Sequence, residues 1–455
     1  MHWFFIGLIK YDKIDNRKSF AVNGDFMSRL DEQDFDEQRM ARRNRRKRSQ
    51  LIAYILLTFV VILFVLAIVF GVIFLKNLFG GGKNAESSEG EEEASVLESS
   101  QEIVIETPEA VSEPEEMSEE DIMNEVVSDM IEAMPVEDKV AGLFIITPEQ
   151  LTGVATAVKA GSGTQDALSQ YAVGGIVYSA KNIKSEDQIT EMLATTSSMS
   201  KYPIFTMVNE WGNGAISSSI GLGEIKDFTD ENAAAENGQA VADSMYKYGF
   251  NFDLSPNMDF TENGFYGTDI DTVKNVTASF TQALHDEGIW SCAYSFPKQG
   301  DTSSSMEQID DSTEMLATSE YALFKNVIDN GNVTAIMISN ASFPNVVGDN
   351  TPASLSSVII EDELRGVLGF DGIVVTGALD DGAITEYYTS DQAAVMAIKA
   401  GADIIYLPED FETAYNGLLE AVNNGEISEE RIDESLNRIY RIKYADRVEE
   451  IAKGN

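Results

Sequence analysis

"GIVVTGALDDGAITEYYTSDQAAVMAIKAGADIIYLP", residues Gly372 to Pro408, decides the fold. It opens on the short apolar run "GIVVTGAL" and closes on another, "ADIIYLP". Between them, "SDQAAVMAIKAG" repeats its apolar residues at helical spacing. A strand with one wet face alternates apolar and polar residues, whereas a run apolar throughout is covered on both faces, as in a parallel sheet flanked by helices. The stretch therefore predicts a strand–helix–strand unit with parallel strands.

The same unit recurs towards the N-terminus. The apolar runs are "AGLFIIT" from Ala141, "GGIVYSA" from Gly174, "PIFTMVNE" from Pro203, "FNFDLSP" from Phe250, "IWSCAYSF" from Ile289 and "AIMISNA" from Ala335. Amphipathic stretches such as "DQITEMLATTSSM" from Asp187 and "DTVKNVTASFTQALHDEG" from Asp271 separate most of them. Eight runs alternating with helices over residues 122–453 predict an α/β fold of the (β/α)8 TIM-barrel type, with a doubly wound open sheet as the competing architecture. In such a barrel the chemistry sits at the C-terminal ends of the strands.

The rest of the chain has a different texture. Leu51–Leu75 is uncharged and apolar throughout, long enough as a helix to cross a bilayer of about 30 Å. "RRNRRKR", Arg42–Arg48, precedes it and is expected to stay in the cytoplasm. The expected organisation is a basic cytoplasmic tail (1–50), a single transmembrane helix (51–75), a disordered acidic linker (76–121) and the barrel (122–453) outside the cell. Met27 is a second candidate start, because "MHWFFIGLIKYDK" reads like upstream sequence, and both starts stay open. The linker, rich in Gly, Ser and Glu, has too little apolar surface to form a core.

The formal net charge is −44. Residues 1–50 hold 12 of the 32 basic residues and 8 of the 76 acidic ones, so the remainder carries 20 basic against 68 acidic. A body this acidic repels nucleic acid, and no nucleic-acid partner is expected. One cysteine, Cys292, and two histidines, His2 and His285, exclude a disulfide framework and a Cys- or His-rich metal site, and no metal or cofactor is expected. His285 reads as a helix surface or interface residue. The sequons at Asn275, Asn332 and Asn340 fall in helix or strand patterns, which argues against glycosylation.

From about Val136 to Leu407 an ordered set of motifs resembles the barrel of glycoside hydrolase family 3, in its β-N-acetylglucosaminidase (β-N-acetylhexosaminidase) branch. The set is "MPVEDKVAGLFII", "VGGIVYSAKNI", "GFNFDLSPNMDF", "FPKQGDT", "PASLSSVIIEDELRGVLGFDGIVVT" and "AIKAGADIIYLP". The resemblance implies a retaining mechanism, with a carboxylate nucleophile and a proton shuttle. It places the nucleophile at Gly377, which has no side chain, followed by Ala378. It places the histidine shuttle at Gln299, whose amide does not titrate. Asp301 stands at the position of the aspartate that pairs with that histidine, and is the one surviving member of the catalytic set.

The sugar-binding positions implied by the resemblance depart as well. The pattern Asp-Gln-Glu-Gly-Gly-Arg appears as Asn209-Glu210-Trp211-Gly212-Asn213-Gly214. The pattern Lys-His-Phe-Pro-Gly-His-Gly-Asp-Thr appears as Tyr294 to Thr302, putting Tyr294, Ser295 and Phe296 at sugar-contacting positions. Asp259 matches a family aspartate. Tyr266 and Trp211 are further aromatic candidates for the pocket mouth.

General acid/base help is worth about 10²–10⁴ in rate and a lost nucleophile costs on the order of 10⁶. The expectation is a degenerate, membrane-anchored extracellular domain binding peptidoglycan or another N-acetylglucosamine-containing glycan. Two alternatives accompany it. One is an active β-N-acetylhexosaminidase with a relocated site, using Asp380 or Asp381 together with Asp301 or Glu210. The other is a protein-interaction module with no glycan.

Overall fold

The computed structural model describes residues 118–222, 228, 230–258, 269–445 and 448. The basic tail, the apolar span Leu51–Leu75 and the linker up to residue 117 lie outside the described residues, as do Asp259 and Tyr266. Among the described residues no helix is long and apolar enough to cross a membrane.

Each of the eight apolar runs contains a strand. They are β1 (Phe144–Ile146), β2 (Gly175–Tyr178), β3 (Phe205–Val208), β4 (Phe252–Asp253), β5 (Trp290–Phe296), β6 (Ala335–Ile338), β7 (Ile373–Val375) and β8 (Ile405–Tyr406). They pair in parallel in the order β7-β6-β5-β4-β3-β2-β1-β8. A parallel bridge between Val375 and Ile404, with Thr376 N–H donating to the Ile404 carbonyl at 3.0 Å, brings β8 back against β7. The sheet is thus a parallel α/β barrel of the TIM type, as the continuous apolar runs require: seven of the strands are buried at every residue and show no alternation.

The helices between strands are built by their ends as much as by their apolar stripes. Ser185, Asp230 and Asp410 each cap a helix by accepting from a backbone N–H of its first turn, opening Glu186–Met199, Glu231–Tyr248 and Phe411–Asn423. A capping box between Ser118 and Asp121 starts the helix Glu119–Glu132. That helix begins inside the stretch expected to be linker, because a local cap and the burial of Val127 and Ile131 outweigh the acidic composition.

The last helix, Glu429–Lys443, crosses the pole where the strands begin. Asp403, fully buried before β8, accepts from Arg365 (2.9 Å), Arg438 (3.0 Å), Ser435 Oγ (2.7 Å) and Val374 N–H (2.9 Å), with Arg431 at 3.8 Å. Lys139, before β1, reaches Glu429 and Asp433 on the same helix at 2.7 and 2.8 Å. At the helix's far end the Lys443 Nζ donates to the Gly174 carbonyl (2.8 Å) and lies 4.5 Å from the Phe205 ring and 4.9 Å from the Tyr440 ring. Glu120 of the first helix pairs with Arg441 at 2.6 Å, so chain entry and chain exit are joined at this pole.

Candidate active site

The opposite pole, where the strands end, gathers most of the residues singled out from sequence. At the tip of β7 stands Gly377, buried. A Cβ placed there would lie 2.6 Å from Asn340 Oδ1 and 2.8 Å from Asn340 Nδ2. Asn340, from the end of β6, is 2 % exposed. Its amide donates to the Ala378 carbonyl (2.7 Å) and to Asp381 (3.2 Å), and accepts from Ser354 Oγ (2.6 Å). The space next to Gly377 is therefore filled by a neutral amide held on both of its polar atoms.

Asp381 joins the loops after β5 and β7. It accepts from Thr302 Oγ1 at 2.7 Å, while Gly382 and Ala383 N–H donate to the Ser303 and Thr302 carbonyls at 3.0 Å each. Residue 382 must be glycine for this approach, since a Cβ would meet the Ser304 carbonyl oxygen at 2.3 Å. Asp380 is exposed, yet its carboxyl lies against enough protein to be raised above the usual carboxylate range, first by that desolvation, then by Asp381 and Glu409.

The loop after β5 carries the expected shuttle position. Gln299 is exposed, and its Oε1 accepts from Ser295 Oγ at 2.9 Å. Asp301 is also exposed; it accepts from Ser303 Oγ at 3.2 Å, and its backbone N–H donates to Glu307 at 2.6 Å. Lys298 turns away from the mouth to Asp311 (2.8 Å) and Glu320 (3.1 Å). Burial works against its charge, but the two carboxylates outweigh burial and hold it above its ordinary value. Tyr294, at the mouth end of β5, accepts from Asn209 Nδ2 at 3.4 Å, so the ends of β3 and β5 meet through two uncharged groups.

Three of the expected contact residues do other work. Glu210 is fully buried, and its two carboxylate oxygens accept from the backbone N–H groups of Gly212 (3.0 Å), Gly214 (2.8 Å), Ile216 (2.7 Å) and Ser217 (2.9 Å). With both oxygens engaged it anchors the β3 loop and has no lone pair directed at a ligand. Trp211 is 6 % exposed and packs on Phe228 (ring centroids 6.0 Å), which in turn packs on Phe280. Phe296 is fully buried, stacked on Tyr321 (5.3 Å) and edge-on to Phe324 (5.2 Å). A bulge between Tyr294 and Phe296 breaks the alternation of β5 and sends Phe296 out under the helix Glu320–Asp329 instead of into the mouth.

Two mouth residues have no role assigned by the sequence motifs. Asn340 is one. The other is Tyr406, the last residue of β8, 7 % exposed, whose phenol is pushed up by burial first and then by Asp380, Cys292 and Tyr294. In sequence its signal is only a polar tip inside an otherwise apolar run. A recess of about 330 Å³, lined in part by Glu186, Asp243, Lys247 and Tyr248, lies between the helices Glu186–Met199 and Glu231–Tyr248; Lys247 pairs there with Glu186 at 2.5 Å.

Residues 136–442 match the glycosyl hydrolase family 3 N terminal domain. The chain belongs to glycosyl hydrolase family 3. A solved family 3 β-N-acetylglucosaminidase from Paenibacillus sp. superposes with a TM-score of 0.63 at 26 % identity, covering 70 % of this chain and 64 % of that one. Beta-hexosaminidase A of Pseudoalteromonas piscicida is 21 % identical over 322 residues, and an uncharacterized secreted glycosyl hydrolase of Arthroderma benhamiae is 26 % identical over 306 residues. The matches cover 61 % and 60 % of this chain. This family 3 chain spans 54 % of the length of the first relative and 86 % of the second.

Proposed function

We propose that this family 3 barrel is a membrane-tethered extracellular domain that holds a hexosamine-containing cell-wall glycan without hydrolysing it. The observation that carries the reading is the Gly377–Asn340 contact. Where a nucleophilic carboxylate is expected, the backbone has no side chain, and the space beside it is taken by an amide with three hydrogen bonds. The exposed amide Gln299 at the expected shuttle position supports it, because an amide neither donates nor takes a proton at neutral pH. The names of its relatives, hexosaminidase and N-acetylglucosaminidase, support a hexosamine glycan as ligand class. The apolar span Leu51–Leu75 behind Arg42–Arg48 supports the tether.

The test is release of 4-nitrophenol from its N-acetyl-β-glucosaminide by the full-length chain, alongside trapping with a 2-fluoro sugar. The expected result is no turnover above buffer and no covalent adduct by mass spectrometry. A trapped glycosyl–protein ester would overturn the reading.

A second reading, a working hexosaminidase with relocated carboxyls, is favoured by the exposure of both Asp380 and Asp301 on the β7 and β5 loops. Turnover abolished by Asp380→Asn or Asp301→Asn would establish it.

A further inference from the structure

Two fully buried carboxyl groups meet where β3 and β4 end. Glu210, just after β3, and Asp253, the last residue of β4, are each 0 % exposed. The Glu210 N–H donates to Asp253 Oδ1 at 2.8 Å. Asp253 Oδ2 is hydrogen-bonded to the hydroxyl of Ser255, itself fully buried. Leu254 N–H donates to the Val208 carbonyl at 2.7 Å and ties the same two strand ends.

The two groups are not equivalent. Glu210 receives two backbone N–H bonds on each oxygen, the donor set that an ionised carboxylate takes. Asp253 has one N–H and one hydroxyl, and a hydroxyl accepts a hydrogen bond as readily as it donates one. The titratable groups facing Asp253 are Glu210 from the β3 side and Cys292 from β5, and neither can carry positive charge. The buried faces of the helices before and after β4, Glu231–Tyr248 and Ile270–Asp286, hold one titratable group, Tyr248, whose partners are Glu186 and Lys247. Among the described residues no lysine, arginine or histidine pairs with either carboxyl. A second buried charge beside Glu210 would stand uncompensated, and keeping a proton avoids it. Burial first, and the charge of Glu210 last, hold the Asp253 carboxyl well above the usual carboxylate range, against the bonds from Ser255 and the Glu210 N–H that pull it down.

We propose that Asp253 is a protonated acid that latches the β3 loop onto β4, and that opening of this loop, residues 209–217, releases its proton to water, so that this wall of the mouth loosens as pH rises. The loop hangs on Glu210, and Glu210 hangs on Asp253 through its own N–H. Once open, both carboxyls are hydrated and Asp253 returns to its ordinary value of 3.8. Between that value and the raised one, the open loop has lost a proton that the closed loop keeps, so rising pH favours opening and falling pH favours closure. Asn209, bonded to Tyr294 across the mouth, lies on this loop, so the latch sets how firmly the ends of β3 and β5 are held together. The device acts whether or not the mouth binds a glycan.

The test is hydrogen–deuterium exchange of the full-length chain, read by mass spectrometry over the Gly212–Ser217 amides from about pH 5 to about pH 9 and corrected for the intrinsic rise of exchange with pH. One proton released per opening makes the opening constant climb about tenfold per pH unit until the closed loop gives up the proton itself. Asp253→Asn keeps a carbonyl for the Glu210 N–H and an amide for Ser255 but has no proton to lose, and its opening constant is expected to stay flat. The helix Ser390–Lys399, between β7 and β8, is the control and is expected to stay flat in both proteins. A flat profile over Gly212–Ser217 in the parent, or an equal climb in Asp253→Asn, would overturn the proposal. Should that variant fail to fold, the parent decides alone: a climb confined to the β3 loop upholds the latch, and a climb shared with the control helix overturns it.

Discussion

The two poles of the barrel treat charge in opposite ways. At the pole where strands begin, Asp403 is fully buried and ringed by Arg365, Arg431, Arg438 and Ser435, and Lys139 meets two carboxylates. At the pole where strands end, the fully buried carboxylate Glu210 is held by backbone N–H groups instead of cations, and neutral groups stand near it at the strand ends: Asn340 beside Gly377, and Asn209 against Tyr294. Charges at the first pole are matched within the chain and hold it together. At the second, Asp380 and Asp301 stand at the surface, where water or a ligand can meet them. A pole that closes its ion pairs is built for cohesion; one that leaves carboxylates exposed at its rim stays open to water.

Four substitutions test this contrast. The largest effect is expected from Asp403→Asn, which leaves three arginines facing an amide and should destabilise the chain by about 3–5 kcal/mol. Urea denaturation checks this, and a loss below about 1 kcal/mol breaks the contrast, because the pole would then not depend on its pairs. Next, Gly377→Asp forces a side chain onto Asn340 and should cost about 1–3 kcal/mol without creating turnover. The double change Gly377→Asp with Asn340→Ala should recover much of that loss in a thermal melt; if the single change is already neutral, the space is not filled as described.

Lys443→Met sharpens the contrast from the other side. Lys443 is the exception at the first pole, since its contacts are a carbonyl and two rings. Burial pushes its ammonium down to about 7, although the ring faces and the Gly174 carbonyl favour its charge. Between that value and the ordinary 10.5, the unfolded chain binds a proton that the folded chain does not, so this lysine adds stability as pH rises through that window and adds none below it. Lys443→Met should therefore stabilise by about 1–2 kcal/mol below pH 7, with the gain shrinking towards pH 10. A gain that grows with pH contradicts the burial. The smallest effect is expected of Tyr406→Phe, a change in stability within about 0.5 kcal/mol; a larger loss would mean that the hydroxyl serves the fold.

Most of the barrel was legible in the sequence. All eight apolar runs hold a strand, and the strand–helix–strand reading of Gly372–Pro408 matches β7, the helix Ser390–Lys399 and β8. Continuous apolarity is a local signal, and parallel burial imposes it directly. The mouth was legible only in part. Gly377 and Gln299 stand out because a motif fixes their place in the chain, but the filling of the Gly377 space by Asn340 is a contact between the ends of two strands. Trp211 and Phe296 looked like mouth aromatics, yet a bulge and a loop anchored by Glu210 turned them into packing residues.

The match to the family begins at residue 136, but the packed structure begins earlier, with the helix Glu119–Glu132. Val127 and Ile131 are buried, and Glu120 and Asn124 grip Arg441 from the other end of the sequence. A shortened version starting at residue 136 would bare the flank of the closing helix to water and to other copies. Ser118, which caps the first helix, is the later limit for anyone seeking a well-behaved soluble fragment.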